Sequence, residues 1–266
     1  MKKFLVFFTF VLLFSSCSEY QNALKSEDVA VKYEAAEKMF EAKKYSKAIR
    51  LFEQIAPAYK GKPSAEKMFY MYSQSLYLTK QYYSAGYQFE SFVANYPKSQ
   101  KLEEASFLGA KCYSKLSPVY SLDQIDTYKA IDKIQAFIDE YPESSYLAEA
   151  NIVAKDLREK LEKKAFEVAK QYNTIEDYKS AIVALDNFMI NYPGTIYKEK
   201  ALYYKFDSSY KLAINSVPSK MQERLEDAKT AYNNLVKLNT NSEFKNKADE
   251  MLARIENDLK QFSKIN

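Results

Sequence analysis

Three Tyr-Pro pairs punctuate this chain, in Asn95-Tyr96-Pro97, Glu140-Tyr141-Pro142 and Asn191-Tyr192-Pro193. Each proline stands twelve residues after an alanine (Ala85, Ala130, Ala181) and eight before another (Ala105, Ala150, Ala201). A double spacing kept three times is an internal repeat, and its periods of 45 and 51 residues are those of a stacked array. Around the first alanines the apolar residues hold helical spacing: Ala85, Phe89 and Phe92; Ala130, Ile131, Ile134 and Phe137; Ala181, Ile182, Leu185 and Phe188. Ala48, Ile49 and Phe52 start the same pattern earlier in the chain. Such spacing lays one apolar stripe along a helix. The alanine lets a second helix approach closely, and a tyrosine just upstream (Tyr45, Tyr82, Tyr128, Tyr178) is expected to fill the turn into the helix. Tyr-Pro then ends it, because proline has no N–H to donate and disfavours helix in the residue before it. Ala48, Ala85, Ala130 and Ala181, with Pro97, Pro142 and Pro193, are therefore the expected repeat-packing residues.

Composition supports an all-α chain and removes several chemistries. Four Gly and seven Pro in 266 residues are too few for a turn-rich all-β fold, whose hairpins need special backbone angles. The absence of His excludes the Ser-His-Asp triad, the Cys-His dyad and His-containing zinc sites. Thirty-nine basic and 35 acidic residues leave a formal charge of +4 with no dominant basic stripe, which argues against a nucleic-acid partner. No phosphate loop, metal-ligand cluster or Gly-rich nucleotide turn occurs. Acidic neighbours such as Glu103-Glu104 diverge by about 100° on a helix instead of converging on a substrate. The expectation is a binding protein, not an enzyme, with no cofactor and no metal.

The N-terminus points to export. Lys2 and Lys3 precede an apolar run, Phe4–Phe14, broken only by Thr9. Eleven residues do not span a bilayer as a helix, which takes about 20; the run has the length of a signal-peptide core. It ends in Phe14-Ser15-Ser16-Cys17, which resembles the bacterial lipobox. The expected organisation is a signal peptide over 1–16, a lipidated Cys17 carrying N-acyl and S-diacylglycerol chains, and a polar tether through residue 28. Removal of 1–16 leaves Cys112 as the sole free thiol, in an apolar helical stretch and with no His to activate it, so it reads as structural.

Hydrophobic periodicity, caps and breakers predict helices at about 29–42, 45–60, 65–79, 82–95, 101–116, 123–140, 146–171, 175–191, 197–214, 219–238 and 243–262. Ser117–Gln124, with Pro118, is the expected long loop. The pattern resembles the tetratricopeptide repeat, whose small residue and later proline match Ala85/Pro97, Ala130/Pro142 and Ala181/Pro193. A first unit fits Tyr33–Pro57 and a last one Leu202–Leu238. The resemblance implies a helical-repeat solenoid of about five helix pairs plus a C-terminal capping helix.

Lipobox, tether and repeats together resemble the BamD-type lipoprotein family of the outer-membrane β-barrel assembly machinery. The residues that carry this are Tyr96-Pro97-x-Ser99 and the run from Asp123-Gln124 through Thr127, Ala130 and Phe137 to Tyr141-Pro142-x-Ser144-x-Tyr146. The resemblance implies a lipid-anchored, periplasm-facing outer-membrane scaffold whose partners are unfolded β-barrel proteins and the insertase's periplasmic domains. Substrate recognition would fall to repeats within 29–142 and insertase binding to 143–266. Individual contact residues do not carry over. From the residues themselves, the aromatic second repeat is the candidate substrate groove, through Tyr70, Tyr72, Tyr77, Tyr82 and Tyr83. Two other readings use the same repeats. An envelope scaffold for cell-wall or division proteins would be expected to show coiled-coil heptads, and a sugar-binding lipoprotein would be expected to offer Trp platforms; this chain has neither sustained heptads nor Trp.

Overall fold

The computed structural model describes residues 19–62 and 65–262; the expected signal peptide and Cys17 lie outside the described residues. Residues 19–25 are helical (α1). There follow α2 (Val29–Glu41), α3 (Tyr45–Tyr59), α4 (Ala65–Leu78), α5 (Tyr82–Asn95), α6 (Leu102–Leu116), α7 (Ile125–Glu140), α8 (Leu147–Thr174), α9 (Tyr178–Asn191), α10 (Lys198–Ile214), α11 (Pro218–Leu238) and α12 (Lys245–Phe262). The described residues contain no strand. Every expected helix is present, each boundary within three residues, and the 117–124 loop is non-helical. The fold is an all-α array of tetratricopeptide-like helix pairs with α12 as the cap.

The described residues form two compact units, one running from 19 to 118 and 123 to 157, the other of 119–122 and 158–262. The first unit buries Leu51, Phe52, Ile55, Met68, Leu76, Phe89 and Phe92 in one core and Phe107, Ile134 and Phe137 in another. The second is built on Phe166, Leu185 and Phe188, and on Phe206, Leu225, Leu235 and Ile255. In both units the alanines stand where the helices meet. Ala48, Ala85, Ala105, Ala130, Ala150, Ala181 and Ala201 are all fully buried.

Three expectations need correction. Pro97, Pro142 and Pro193 are exposed turn residues, so they stop helices without packing between them. Tyr45, Tyr82 and Tyr178 are the first residues of their helices and half-buried, but Tyr128 is 57% exposed. Because α7 begins at Ile125, Tyr128 lies one turn inside the helix, away from the junction it was expected to fill. The stretch expected as a polar tether is helical over 19–25, with Tyr20 and Ala23 buried in the first core. Pro57 lies inside α3, as the expected 45–60 helix requires.

Within a pair the turn is tight. Lys44 N–H donates to the Met39 carbonyl and Gln81 N–H to the Leu76 carbonyl, closing the last helical turn as in a Schellman cap. The preceding residues, Lys43 and Lys80, have φ of 57° and 61°, and Glu176 before α9 has 65°. These left-handed positions are ones that glycine fills without strain.

Between pairs a second joint recurs. After Tyr-Pro, the hydroxyls of Ser99, Ser144 and Thr195 accept from the backbone N–H groups of Lys101, Tyr146 and Tyr197, starting the next helix. Ser99 also donates to Glu66 at 2.6 Å, and Ser144 donates to Glu103, each reaching the first turn of the helix one pair back. Two residues past the hydroxyl, a side chain lies on an aromatic ring of the preceding pair. Lys101 sits 5.5 Å above Tyr70, Tyr146 stacks on Phe107 at 4.9 Å, and Tyr197 stacks on Phe166 at 5.3 Å. A fourth joint has no Tyr-Pro. Ser242 accepts from Phe244 N–H, Phe244 stacks on Tyr203 at 4.1 Å, and Ala248 is fully buried. The excess over a standard repeat is the 117–124 loop in one period and the 28-residue α8 in the next.

A candidate peptide-binding cleft

Helices α3, α4 and α5 of the first unit enclose an open cleft of about 640 Å³. Its apolar wall is Phe69 and Tyr72 from α4 with Tyr87 and Phe92 from α5, closed by Tyr96 at the end of α5. Its polar rim is Glu53, Lys60 and Lys62 on one side and Gln88, Ser91 and Asn95 on the other. The spacing explains the wall. Phe69 and Tyr72 are three apart on one face of α4, while Tyr87, Ser91 and Asn95 follow at four-residue steps on the outer face of α5. The rings support each other: Phe92–Tyr96 centroids are 5.2 Å apart, Phe69–Tyr96 6.4 Å and Phe52–Tyr72 6.0 Å. Tyr87 is 65% exposed, so a hydrophobic ring already lies at the surface before any ligand arrives.

Electrostatics make the cleft a binding surface without reactive groups. Burial, with Glu53 adding to it, pushes the Tyr72 hydroxyl up to about 12, so it remains a neutral donor. Lys62 lies 5.4 Å over the Tyr59 ring at the same end, and Tyr59 stacks on Tyr33 at 5.5 Å. The described residues contain no group of three or more Cys, Asp or Glu placed to hold a metal ion. What the cleft offers is aromatic faces, amide and hydroxyl partners, and cations at one end. That set suits an extended chain with alternating apolar side chains.

The five tyrosines singled out from the sequence separate. Tyr72 lines the cleft. Tyr70, two residues earlier, packs into the core, 5.6 Å from Phe92, and accepts from Gln74 Nε2 at 2.7 Å; burial raises its pKa. Tyr77 and Tyr82 form an edge contact at 5.8 Å across the α4–α5 turn. Tyr83 is 74% exposed beside that turn and outside the cleft. Phe69, Tyr87 and Tyr96 take the places that Tyr70, Tyr77, Tyr82 and Tyr83 were expected to fill. The outward i, i+4 step from Tyr87 to Ser91, opposite the buried Ala85–Phe89 stripe, is the signal that marks Tyr87 as a surface aromatic.

Cys112 is fully buried, and burial pushes its thiol up to about 12, which agrees with a packing role. The second unit carries a smaller opening of about 500 Å³, lined by Tyr120, Lys164, Val168, Tyr172 and Ile175 among others. None of the described helices is long and apolar enough to cross a membrane.

Sequence comparison places these features beside known proteins. The profile of the YfiO family, described as outer membrane lipoprotein, matches residues 25–225 and again 176–263. An Aquifex aeolicus protein with the provisional name outer membrane protein assembly factor BamD is 30% identical over 224 residues, which is 83% of this chain and 70% of that one. Among solved structures, TPR-like repeats from a provisionally named kinesin light chain of Podosopora anserina align with 79% of this chain and 95% of theirs, at 14% identity and a TM-score of 0.33.

Proposed function

This chain belongs to the YfiO family of outer membrane lipoproteins, and on that premise we propose that it is a lipid-anchored, periplasm-facing scaffold of outer-membrane β-barrel assembly. In this reading Cys17 carries the anchor, the α3–α5 cleft receives unfolded barrel segments, and the C-terminal repeats hold the insertase's periplasmic domain. It is a scaffold, not an enzyme.

The observation that carries the reading is the cleft with its aromatic wall and the exposed Tyr87 ring at its rim. Barrel strands alternate apolar and polar side chains and concentrate aromatics at their girdles. Before insertion such strands have unpaired edges that invite aggregation. A cleft that stacks alternate aromatic side chains while leaving the polar face in water holds one strand away from others. Tethering it to the membrane by acyl chains, each buried CH₂ worth about 0.8 kcal/mol, raises the strand's effective concentration where insertion occurs.

The test is a pull-down of the tagged lipoprotein from detergent-solubilised envelope, with a photo-crosslinking residue at position 87 or 96. Recovery of the barrel insertase, crosslinks to nascent barrel proteins, and loss of folded barrels on depletion are expected. Absence of insertase together with unchanged barrel levels refutes the proposal and favours a scaffold for cell-wall or division proteins.

A further inference from the structure

The first unit carries a concentrated basic surface that the peptide cleft does not use. Lys43, Lys44 and Lys47, from the α2–α3 turn and the start of α3, converge with Thr79 of the α4–α5 turn around a small depression of about 210 Å³. Lys80 follows Thr79, and Tyr83, 74% exposed, is one step further. Among the described residues, no carboxylate lines the depression. Two of these lysines, Lys43 and Lys80, occupy left-handed backbone positions where glycine would be unstrained. Both turns thus present cations at the same end of two adjacent helix pairs.

The path of the N-terminus meets this end. Glu19 pairs with Lys38 near the close of α2 at 2.6 Å, and Lys47 Nζ lies 4.9 Å over the ring of Tyr20, itself buried in the core. Cys17 is two residues before Glu19, and two residues of chain span at most about 7 Å. Whatever holds Cys17 therefore holds the lysine-bearing edge close to it.

We propose that this edge, formed by the α2–α3 and α4–α5 turns, is a second membrane contact that binds the anionic phosphate headgroups of the lipid layer in which the anchor sits. It rests on the anchor reading above. The lipid fixes one point, and the lysines fix the rotation of the unit about that point. Tyr83 stands at the level where amphipathic rings favour the headgroup region. The attraction falls off within a Debye length, so only an edge held next to the surface feels it.

The full-length lipoprotein purified from membranes is reconstituted into vesicles of phosphatidylcholine alone, or of phosphatidylglycerol and phosphatidylcholine at about three to seven, which gives an anionic surface. An environment-sensitive fluorophore is placed through Ser46→Cys at the edge or Gln100→Cys at the other end of α5. That helix of 14 residues is about 21 Å long, so the two probes sample opposite ends. Quenching is read with a nitroxide on the lipid headgroup. Strong quenching at position 46, dependent on phosphatidylglycerol and lost as salt rises from about 0.1 to about 1 M, is expected, with little at position 100. Lys43→Gln, Lys44→Gln and Lys80→Gln should each weaken the contact about fivefold while leaving helical circular dichroism unchanged. A chain that sediments with neither vesicle refutes the anchor and this proposal together. A chain that sediments with both, yet is quenched equally at 46 and 100 or without regard to lipid charge, refutes the membrane edge alone.

Discussion

Two glycines at the α5–α6 crossing provide a test in which opposing effects can be separated. An alanine side chain at either position gains about 0.8–1.0 kcal/mol of helix propensity over glycine. The packing terms differ. A Cβ at Gly86 would meet Cys112 Cβ at 3.4 Å and the Tyr113 ring at 3.4 and 3.5 Å, ordinary contact distances. A Cβ at Gly109 would meet Phe89 Cβ at 3.2 Å, an atom fixed to the α5 backbone that yields only if the helix moves. Overpacking of that kind costs about 1–3 kcal/mol, which cancels or exceeds the propensity gain. Gly86→Ala should therefore stabilise the protein by about 1 kcal/mol, and Gly109→Ala should leave it unchanged or destabilise it by about 1–2 kcal/mol. In a protein of this size each kcal/mol moves the midpoint by about 2–4 °C. Calorimetry and urea unfolding of the two variants beside the parent make the comparison, with equal m-values required. Gly109→Ala melting above Gly86→Ala would refute the claim that α5 and α6 approach most closely at Gly109.

Three further outcomes are expected. Ala130→Leu and Ala181→Leu should each cost about 1–3 kcal/mol by overpacking, against a change within about 0.5 for the exposed Lys179→Ala, read as denaturant midpoints. Glu176→Gly should raise stability by about 1 kcal/mol by relieving a left-handed residue, measured by thermal melting. Burial pushes the Tyr72 and Tyr113 hydroxyls up to about 12. Their contribution to stability is therefore complete below the unfolded tyrosine pKa of about 10 and is lost as pH rises from there towards 12. Unfolding free energy should fall across that window while tyrosinate absorbance lags behind that of the denatured chain.

Helix boundaries were legible because they are set locally, by a three- or four-residue apolar spacing and, for α5, α7 and α9, a Tyr-Pro stop. The close contacts at Ala85, Ala130 and Ala181 follow from the same pattern. The composition of the cleft was not legible, because α4 carries aromatics on several faces at once. One residue turns a helical side chain by about 100°, so Tyr70 packs against Phe92 while Phe69 and Tyr72, both largely buried, line the cleft, and only the positions of α3 and α5 decide between them. Tyr20 and Ala23 escaped notice for the opposite reason. The stretch is mostly polar, with Leu24 the one other apolar residue, and a seven-residue helix shows too little periodicity to announce a buried face. Tyr128 was misplaced because it stands two residues before its alanine where Tyr45, Tyr82 and Tyr178 stand three; the equivalent position is Thr127, which is buried.

The joint formed by a serine or threonine hydroxyl, the side chain two residues on and the buried alanine six residues on behaves as a unit of inheritance. It appears four times, at Ser99, Ser144, Thr195 and Ser242, although the lengths between occurrences differ and the last lacks its Tyr-Pro. What is copied along this chain is therefore the splice and not the segment. A longer helix or loop between two joints leaves the stacking intact so long as each joint is left whole. A deletion running from Glu66 through Leu102 would bring Glu103 into the place of Glu66 and preserve its clasp with Ser144, shortening the array by one pair without leaving an exposed seam.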